Sequence, residues 1–394
     1  MNKVLYNISG RSFYRNQLGR KISEVISCWD KLSIELDVYC GGDLNNSSDI
    51  KSTEYGASKI HNSKVRKIKY LLPLVRSLSE FKDIVHDVKT YFFLKKKISK
   101  SNYDLIWERS SRLHFASLLL AKKYRIPFVL EWKDHLVDYN FSLFVLFAKW
   151  VEYYKVKKAD YIVVESYVLK EELENKFAIS GKVLVAYNAV NTDEFKQINK
   201  HRESIRSQFH ISSEQTLVCY IGSFAFYHDT IRLVLAAYDL YQRGVDNVKF
   251  LLVGNGKEYL ECLEKAKELD IKDRTLFFMD PVPMNNVPHI LSGADITVLP
   301  GSTDIICPIK VFEYMSSETV AIIPDYKCNS DVIRDGVSGA LFKPFDEIDL
   351  ANTILTYADD KELANKIRKC ARKEVIENYS WDSTWGKVLS DILG

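Results

Sequence analysis

Residues 307–317 read CPIKVFEYMSS, and three of them could do chemistry together. Pro308 suits a first helical turn, because its missing N–H would be unpaired there in any case. The amides of Ile309, Lys310 and Val311 would then point out of the helix start, where the dipole favours an anion. Lys310 adds a full positive charge, and Glu313 lies one turn further along. A carboxylate there repels phosphate but can accept two hydrogen bonds from a diol. Phosphate at the tip and a ribose diol one turn on is the outline of a nucleoside diphosphate. The same K-x-x-E spacing also serves a solvated pair at an ordinary helix start, so the surrounding elements must decide.

Those elements alternate from end to end. In the N-terminal half, apolar runs at 4–8, 35–40, 104–108, 127–132, 161–166 and 182–188 predict buried strands, with helical patterns between them, as at 20–32 and 115–124. In the C-terminal half, strands are predicted at 216–222, 249–254, 275–280, 295–300 and 319–325, with helices at 229–243, 257–269, 308–317 and 360–378. Such alternation predicts parallel sheets covered on both faces, and two such blocks predict two Rossmann-like α/β domains. The join falls near YNAVNTDEF at 187–195, followed by the polar run 196–208. Residues 41–63, rich in Gly, Ser and Asn, read as a long loop. The helix carrying Lys310 follows the strand 295–300, and ligands of open α/β sheets bind beyond the carboxyl ends of strands.

The chain has 394 residues, which also favours two domains, and 46% hydrophobic with 27% charged residues is the balance of a soluble globular protein. A net charge of +3 does not point to nucleic acid. Cysteines at 28, 40, 219, 262, 307, 328 and 370 form no C-x-x-C pair, which predicts reduced thiols in a cytosolic protein rather than disulfides or zinc. The N-terminus reads as a strand without the apolar core of a signal peptide, and the runs YLLPLV and FSLFVLFA are far shorter than a bilayer span. A protein that is cytoplasmic, or peripheral on the inner face of the membrane, is expected.

The C-terminal half resembles the retaining glycosyltransferases of family 4, which have the GT-B fold. The resemblance runs in order over about 180 residues. It is carried by YNAVNTDEF, IGSFAFYHD, LLVGNGKEYLECL, VPHILSGADITVLPGS, PIKVFEYMSS, VIRDGVSGALF and NYSWDSTW. YDLIWER, RIPFVLEW and ADYIVVES match more loosely in the first half. The resemblance implies an acceptor-binding domain at 1–190 facing a nucleotide-sugar domain at 191–378 across a cleft, with 379–394 packing back on the first domain. It makes Glu313 the ribose ligand, the second glutamate of an E-x7-E motif. The first falls at Ile305, with Asp304 beside it as a substitute. The basic pair of the family's first loop becomes Ser223 and His228, so Lys310 is expected to carry most of the phosphate charge, helped by His228 and the amides after Gly222. Gly254, in VGNG, would be a tight turn near the nucleotide. From the first domain, Gly10 and Arg109 are implied at the acceptor, and Lys133 and His135 beside the donor sugar or acceptor.

The implied chemistry is sugar transfer from a nucleoside diphosphate, UDP being the commonest in the family, to an acceptor hydroxyl of a surface polysaccharide or glycoconjugate. No metal and no cofactor are implied. Two other readings stand beside it. Ile305, Ser223 and the stretch MSSETV suit a non-catalytic partner subunit, and an epimerase can share the fold. Finally, the segment 64–100 carries eleven lysines and arginines against three acidic residues, with aromatic residues between them. It reads as an anionic-membrane contact, a solvated basic face or a self-association surface.

Overall fold

The computed structural model of the protein describes residues 1–10, 19–40, 43–46, 72–133 and 143–394. They form two compact units: Met1–Ala186 with Trp385–Gly394, and Tyr187–Thr384. The first unit runs β1 (Asn2–Ile8), α1 (Arg20–Asp30), β2 (Ile34–Cys40), β3 (Asp43–Asn46), α2 (Leu72–Ile98), β4 (Leu105–Arg109), α3 (Ala116–Tyr124), β5 (Phe128–Glu131), α4 (Val145–Lys158), β6 (Tyr161–Val164), α5 (Tyr167–Phe177) and β7 (Val183–Val185). Its sheet has the order β3-β2-β1-β4-β5-β6-β7. All pairs are parallel except β2–β3. Residues 43–46 were expected in a loop; they are instead a strand that pairs through its backbone with Asp37–Cys40. The rest of 41–63 lies outside the described residues.

The second unit runs α6 (Asn199–Gln208), β8 (Thr216–Ile221), α7 (Thr230–Gln242), β9 (Val248–Val253), α8 (Tyr259–Glu268), β10 (Leu276–Met279), α9 (Val287–Gly293), β11 (Ile296–Val298), α10 (Ile309–Ser316), β12 (Val320–Pro324), α11 (Lys327–Ser330), β13 (Ala340–Phe342), α12 (Glu347–Asp359) and α13 (Lys361–Asn378). Its sheet, β10-β9-β8-β11-β12-β13, is parallel throughout. A last helix, α14 (Lys387–Leu393), belongs to the first unit.

The strands follow from their residues. β4, β5 and β8 are buried at every position, as strands must be when helices cover both faces; their charged residues Glu108, Arg109 and Glu131 are held in ion pairs. α5 and α13 start where a short polar side chain takes an orphan amide. Ser166 accepts from Leu169 N at 3.1 Å, and Asp360 from Leu363 N at 2.9 Å. The passage between units is fixed within the second: Val190 N donates to Tyr379 O at 3.1 Å. Residues 379–384 therefore stay with that unit, and the return begins at Trp385.

In each sheet the strand order reverses beside the first strand, between β1 and β4 and between β8 and β11. A doubly wound sheet binds ligands beyond the carboxyl ends of the strands at this switch.

Candidate functional site

At the second unit's switch, Gly222 follows the end of β8, and β11 leads through 299–308 into α10. Gly222 has φ +154° and Gly254 φ +136°, a region that side chains disfavour. A Cβ on Gly254 would lie 1.9 Å from the carbonyl oxygen of Gly222, so the ends of β8 and β9 touch backbone to backbone. A Cβ on Gly222 would lie 2.2 Å from Lys310 Nζ. The glycine is the space into which the lysine reaches.

Pro308 is the N-cap of α10, one position earlier than the sequence suggested, with φ −68° and ψ 149°. Its carbonyl accepts Val311 N at 3.0 Å, which leaves the amides of Ile309 and Lys310 at the open end of the helix. The loop before it is braced from outside. Asn188 Nδ2 donates to Cys307 O at 3.0 Å, and Asn329 Nδ2 to Ser302 Oγ at 3.2 Å. At the far end of α10, Ser316 Oγ donates to Phe195 O at 2.7 Å.

Lys310 Nζ lies 5.0 Å from the centroid of the Tyr220 ring and 3.3 Å from His228 Nε2. The ring of His228 is oriented by the carbonyl of Ser223, 2.9 Å from Nδ1, to which Tyr220 Oη also donates at 2.6 Å. Nδ1 therefore carries the proton, and Nε2 accepts from the lysine. Burial, and then the charge of Lys310, lower His228 to about 3. His228 is then neutral, and its part in the site is to accept from Lys310. Burial, offset in part by Glu313, lowers Lys310 to about 7. A lysine desolvated this far gains strongly from an anion. Glu313 is 4% exposed on the same helix. Asp304 is exposed and Ile305 half-buried in the loop between β11 and α10. Tyr220, which holds both Lys310 and the Ser223 carbonyl, carried no sequence signal, because it lies inside an ordinary apolar strand.

The first unit's switch carries a second charged cluster. Gly10, just past β1, has φ +126°. Ser9 Oγ donates to Arg109 O at 2.6 Å across the gap between β1 and β4. Arg109, expected to meet an acceptor, is 7% exposed and paired with the Glu131 carboxylate. Glu131 also accepts Tyr6 Oη at 3.0 Å and Trp107 Nε1 at 3.3 Å. The guanidinium is thus part of a buried brace. Lys21 pairs with Glu165 at 2.6 Å, and its ammonium lies 4.2 Å from the Trp385 ring centroid. Lys133 is half-buried, and burial followed by the charge of Arg109 lowers it to about 8. His135 lies outside the described residues. Among those described, no group of three or more His, Cys, Asp or Glu side chains is placed to hold a metal ion.

Comparison with known proteins follows the same division. Residues 201–374 match the model of glycosyl transferases group 1, and residues 22–194 that of glycosyltransferase family 4. An uncharacterized glycosyltransferase of Methanocaldococcus jannaschii is 23% identical over 71% of this chain and 73% of its own. The alpha-D-kanosaminyltransferase of Streptomyces kanamyceticus is 24% identical over 59% of this chain, a match spanning 60% of that relative's length. The Escherichia coli UDP-Gal:alpha-D-GlcNAc-diphosphoundecaprenol alpha-1,3-galactosyltransferase is 21% identical over 75% of this chain and 77% of its own. Among solved structures, HepE of Anabaena in complex with UDP has a TM-score of 0.73 at 14% identity, covering 100% of this chain and 99% of its own. A glycosyltransferase of Rickettsia africae also reaches 0.73, at 17% identity, covering 100% of this chain and 97% of its own.

Proposed function

The chain belongs to the glycosyltransferases of family 4, group 1, with the GT-B fold, and on that premise we propose that it moves a sugar from a nucleoside diphosphate to an acceptor hydroxyl with retention of configuration. The observation that carries this is the pairing of Lys310 with Glu313 on one turn of α10 at the sheet's switch point.

Glu313 accepts the ribose diol. Lys310 and the amides of Ile309 and Lys310 receive the diphosphate, with the backbone after Gly222 alongside. As the bond from the sugar's anomeric carbon to the diphosphate oxygen breaks, its electron pair passes to that oxygen. The lysine and the helix dipole stabilise the growing charge, in place before the reaction begins. A departing phosphate oxygen takes the acceptor's proton on the same face as the new bond forms. No resident metal or cofactor is called for, since a side chain and a helix end meet the charge. Asp304 is the acidic side chain nearest in sequence to the position of the motif's first glutamate and is assigned to the sugar hydroxyls. A UDP-sugar is the donor class we favour, because the Escherichia coli relative is named for UDP-Gal and HepE is in complex with UDP.

The acceptor we propose is a saccharide or lipid-linked saccharide in surface polysaccharide or glycoconjugate synthesis. The protein would work at the cytoplasmic face of a membrane, with the basic segment 64–100 toward anionic lipid. No helix among the described residues is long and apolar enough to cross a membrane.

The test is Glu313→Ala. Losing a charged acceptor to a diol costs about 1.5–3 kcal/mol, or roughly ten- to a hundredfold in nucleotide affinity, with the fold retained. Calorimetry showing unchanged UDP affinity would remove Glu313 from the site and the reading with it.

A further inference from the structure

The helix that carries Lys310 and Glu313 has no side-chain cap at its start. Pro308 stands at the N-cap, and its nitrogen has no hydrogen to donate. The peptide that leads into α10, between Cys307 and Pro308, therefore offers one polar group, the carbonyl of Cys307. That carbonyl is held from far away in the chain. Asn188 Nδ2 donates to it at 3.0 Å, from 119 positions earlier.

Packing alone does not account for this asparagine. Asn188 is 5% exposed, and its Oδ1 is buried and accepts from no described residue. A buried amide with half of its capacity unmet lowers stability, whereas an apolar side chain of the same size carries no such penalty. The one bond the amide does make goes to the peptide that sets the direction of α10.

The far end of α10 is held by the same segment of chain. Phe195 is fully buried, and its carbonyl accepts Ser316 Oγ at 2.7 Å and Arg372 Nη1 at 2.8 Å. Between these two points, Asn191 Oδ1 accepts the amides of Asp193 and Glu194 at 3.2 and 3.4 Å, and Asn191 O accepts Phe195 N at 3.1 Å. Val190 N donates to Tyr379 O, and the Tyr379 ring lies 5.1 Å from that of Phe312, halfway along α10. Residues 188–195 thus brace an eight-residue helix at its start, its middle and its end, all within the second unit. Of these contacts, that of Asn188 is the one at the end where the amides of Ile309 and Lys310 are open.

We propose that Asn188 is a positioning residue for the transfer: by fixing the Cys307–Pro308 peptide it aims the amides of Ile309 and Lys310 at the diphosphate. It acts through that peptide and is not itself a catalytic residue. The inference rests on the donor site proposed above and adds to it a residue from the join between the units. Hydrogen bonds weaken steeply as their angle closes. A small tilt of the helix start therefore releases the diphosphate, while Glu313, one turn further on, stays at the ribose.

Asn188→Leu tests this, because leucine has nearly the same volume and no donor. In the folded variant, UDP affinity should fall about tenfold or more. Uridine, which lacks the diphosphate, should lose less than about twofold when both are read by displacement of a fluorescent UDP analogue. Asn188→Ala removes the same donor without filling the space and should show the same split, so a leucine that does not fit leaves the test intact. Ser316→Ala, at the far end of α10, should keep UDP affinity within about twofold of wild type. A residue that only supports the fold would lower the melting temperature and leave the ratio of UDP to uridine affinity where it was. Unchanged UDP affinity in the Asn188 variants, an equal loss of UDP and uridine, or an equal loss of UDP in Ser316→Ala would each overturn the proposal. Glu313→Ala separates it from the reading on which it rests. UDP lost there and kept in Asn188→Leu removes Asn188 alone; the reverse removes the ribose assignment and leaves the braced helix start as the phosphate site. A wild-type chain that binds no UDP overturns both.

Discussion

In the proposed mechanism the chemistry rests on one ammonium group, that of Lys310, whose charge its burial controls. Burial holds it at about 7, and a diphosphate beside it must raise that value. The protonated form is the one that the proposed leaving-group role requires. In the free protein it predominates below about pH 7 and is lost as pH rises through that value. The plot of kcat/KM against pH should therefore fall on its alkaline side with a break near 7. Lys310→Ala should abolish that break and lower kcat more than it weakens donor binding, because the charge it meets grows toward the transition state. A break that survives the substitution, or a substitution that raises KM alone, would take the lysine out of this role. The proline, lysine and glutamate of α10 were legible in the sequence because their spacing alone sets their relation. The state of His228 was not. Its neutrality comes from burial and from a lysine 82 positions away in the chain, and its orientation from the carbonyl of Ser223.

At the scale of elements, hydrophobic pattern found what hydrophobic burial builds. β8 and β9 were legible because they are buried along nearly their whole length. β3, with the sequence DLNN, pairs through its backbone at a sheet edge and carries no such pattern. α6 was hidden in the polar join because it buries only Ile205 and Arg206, the latter satisfied by the carbonyls of Ser212 and Gln215 and by Asp295. α2 was noticed for its charges, since it buries Glu80, Asp87 and Thr90 along with Leu94 and Ile98 and leaves Phe81 and Phe92 exposed, which blurs the apolar stripe a core-facing helix would show. Asp87 shows what one of those buried polar side chains supplies. No side chain of α3 caps its own first turn, and the carboxylate from α2 takes two amides there instead. Asp87→Ala should lower stability by about 1–2 kcal/mol, as loss of a cap does. Burial, opposed by those amides, pushes Asp87 up to about 7, above its unfolded value near 4. The folded state then holds the extra proton between these limits, so this group's contribution is full below about pH 4 and is lost as pH rises to about 7. Asp87→Asn, which has no proton to lose, should flatten that part of the stability profile measured by urea unfolding. An unchanged slope would show that Asp87 does not set it.

For the whole molecule, the division into two units is legible from the repeated alternation of strand and helix. Where the chain changes units depends instead on single hydrogen bonds, such as Val190 N to Tyr379 O, that no pattern announces. Trp385 is the residue on which the first unit closes. It is fully buried, its carbonyl accepts Trp29 Nε1 at 3.1 Å, and its ring lies 6.2 Å from that of Trp107. Trp385→Ala should cost about 3–5 kcal/mol in the first unit alone. Calorimetry should show one transition moved down and another, raised by added UDP, left in place; equal displacement of both would contradict the assignment. The same residue fixes an order of events during synthesis. Domains generally fold as they emerge, the N-terminal one first. Here the first unit has every strand of its sheet by Val185 yet lacks the indole that fills its core until all of Tyr187–Thr384 has been translated. At the usual pace of a ribosome that is a delay of roughly 10–40 seconds. Through that interval Trp29 and Trp107 lack their partner, so the nascent N-terminal half is a natural client for chaperones, and the half made second is the first that can be finished.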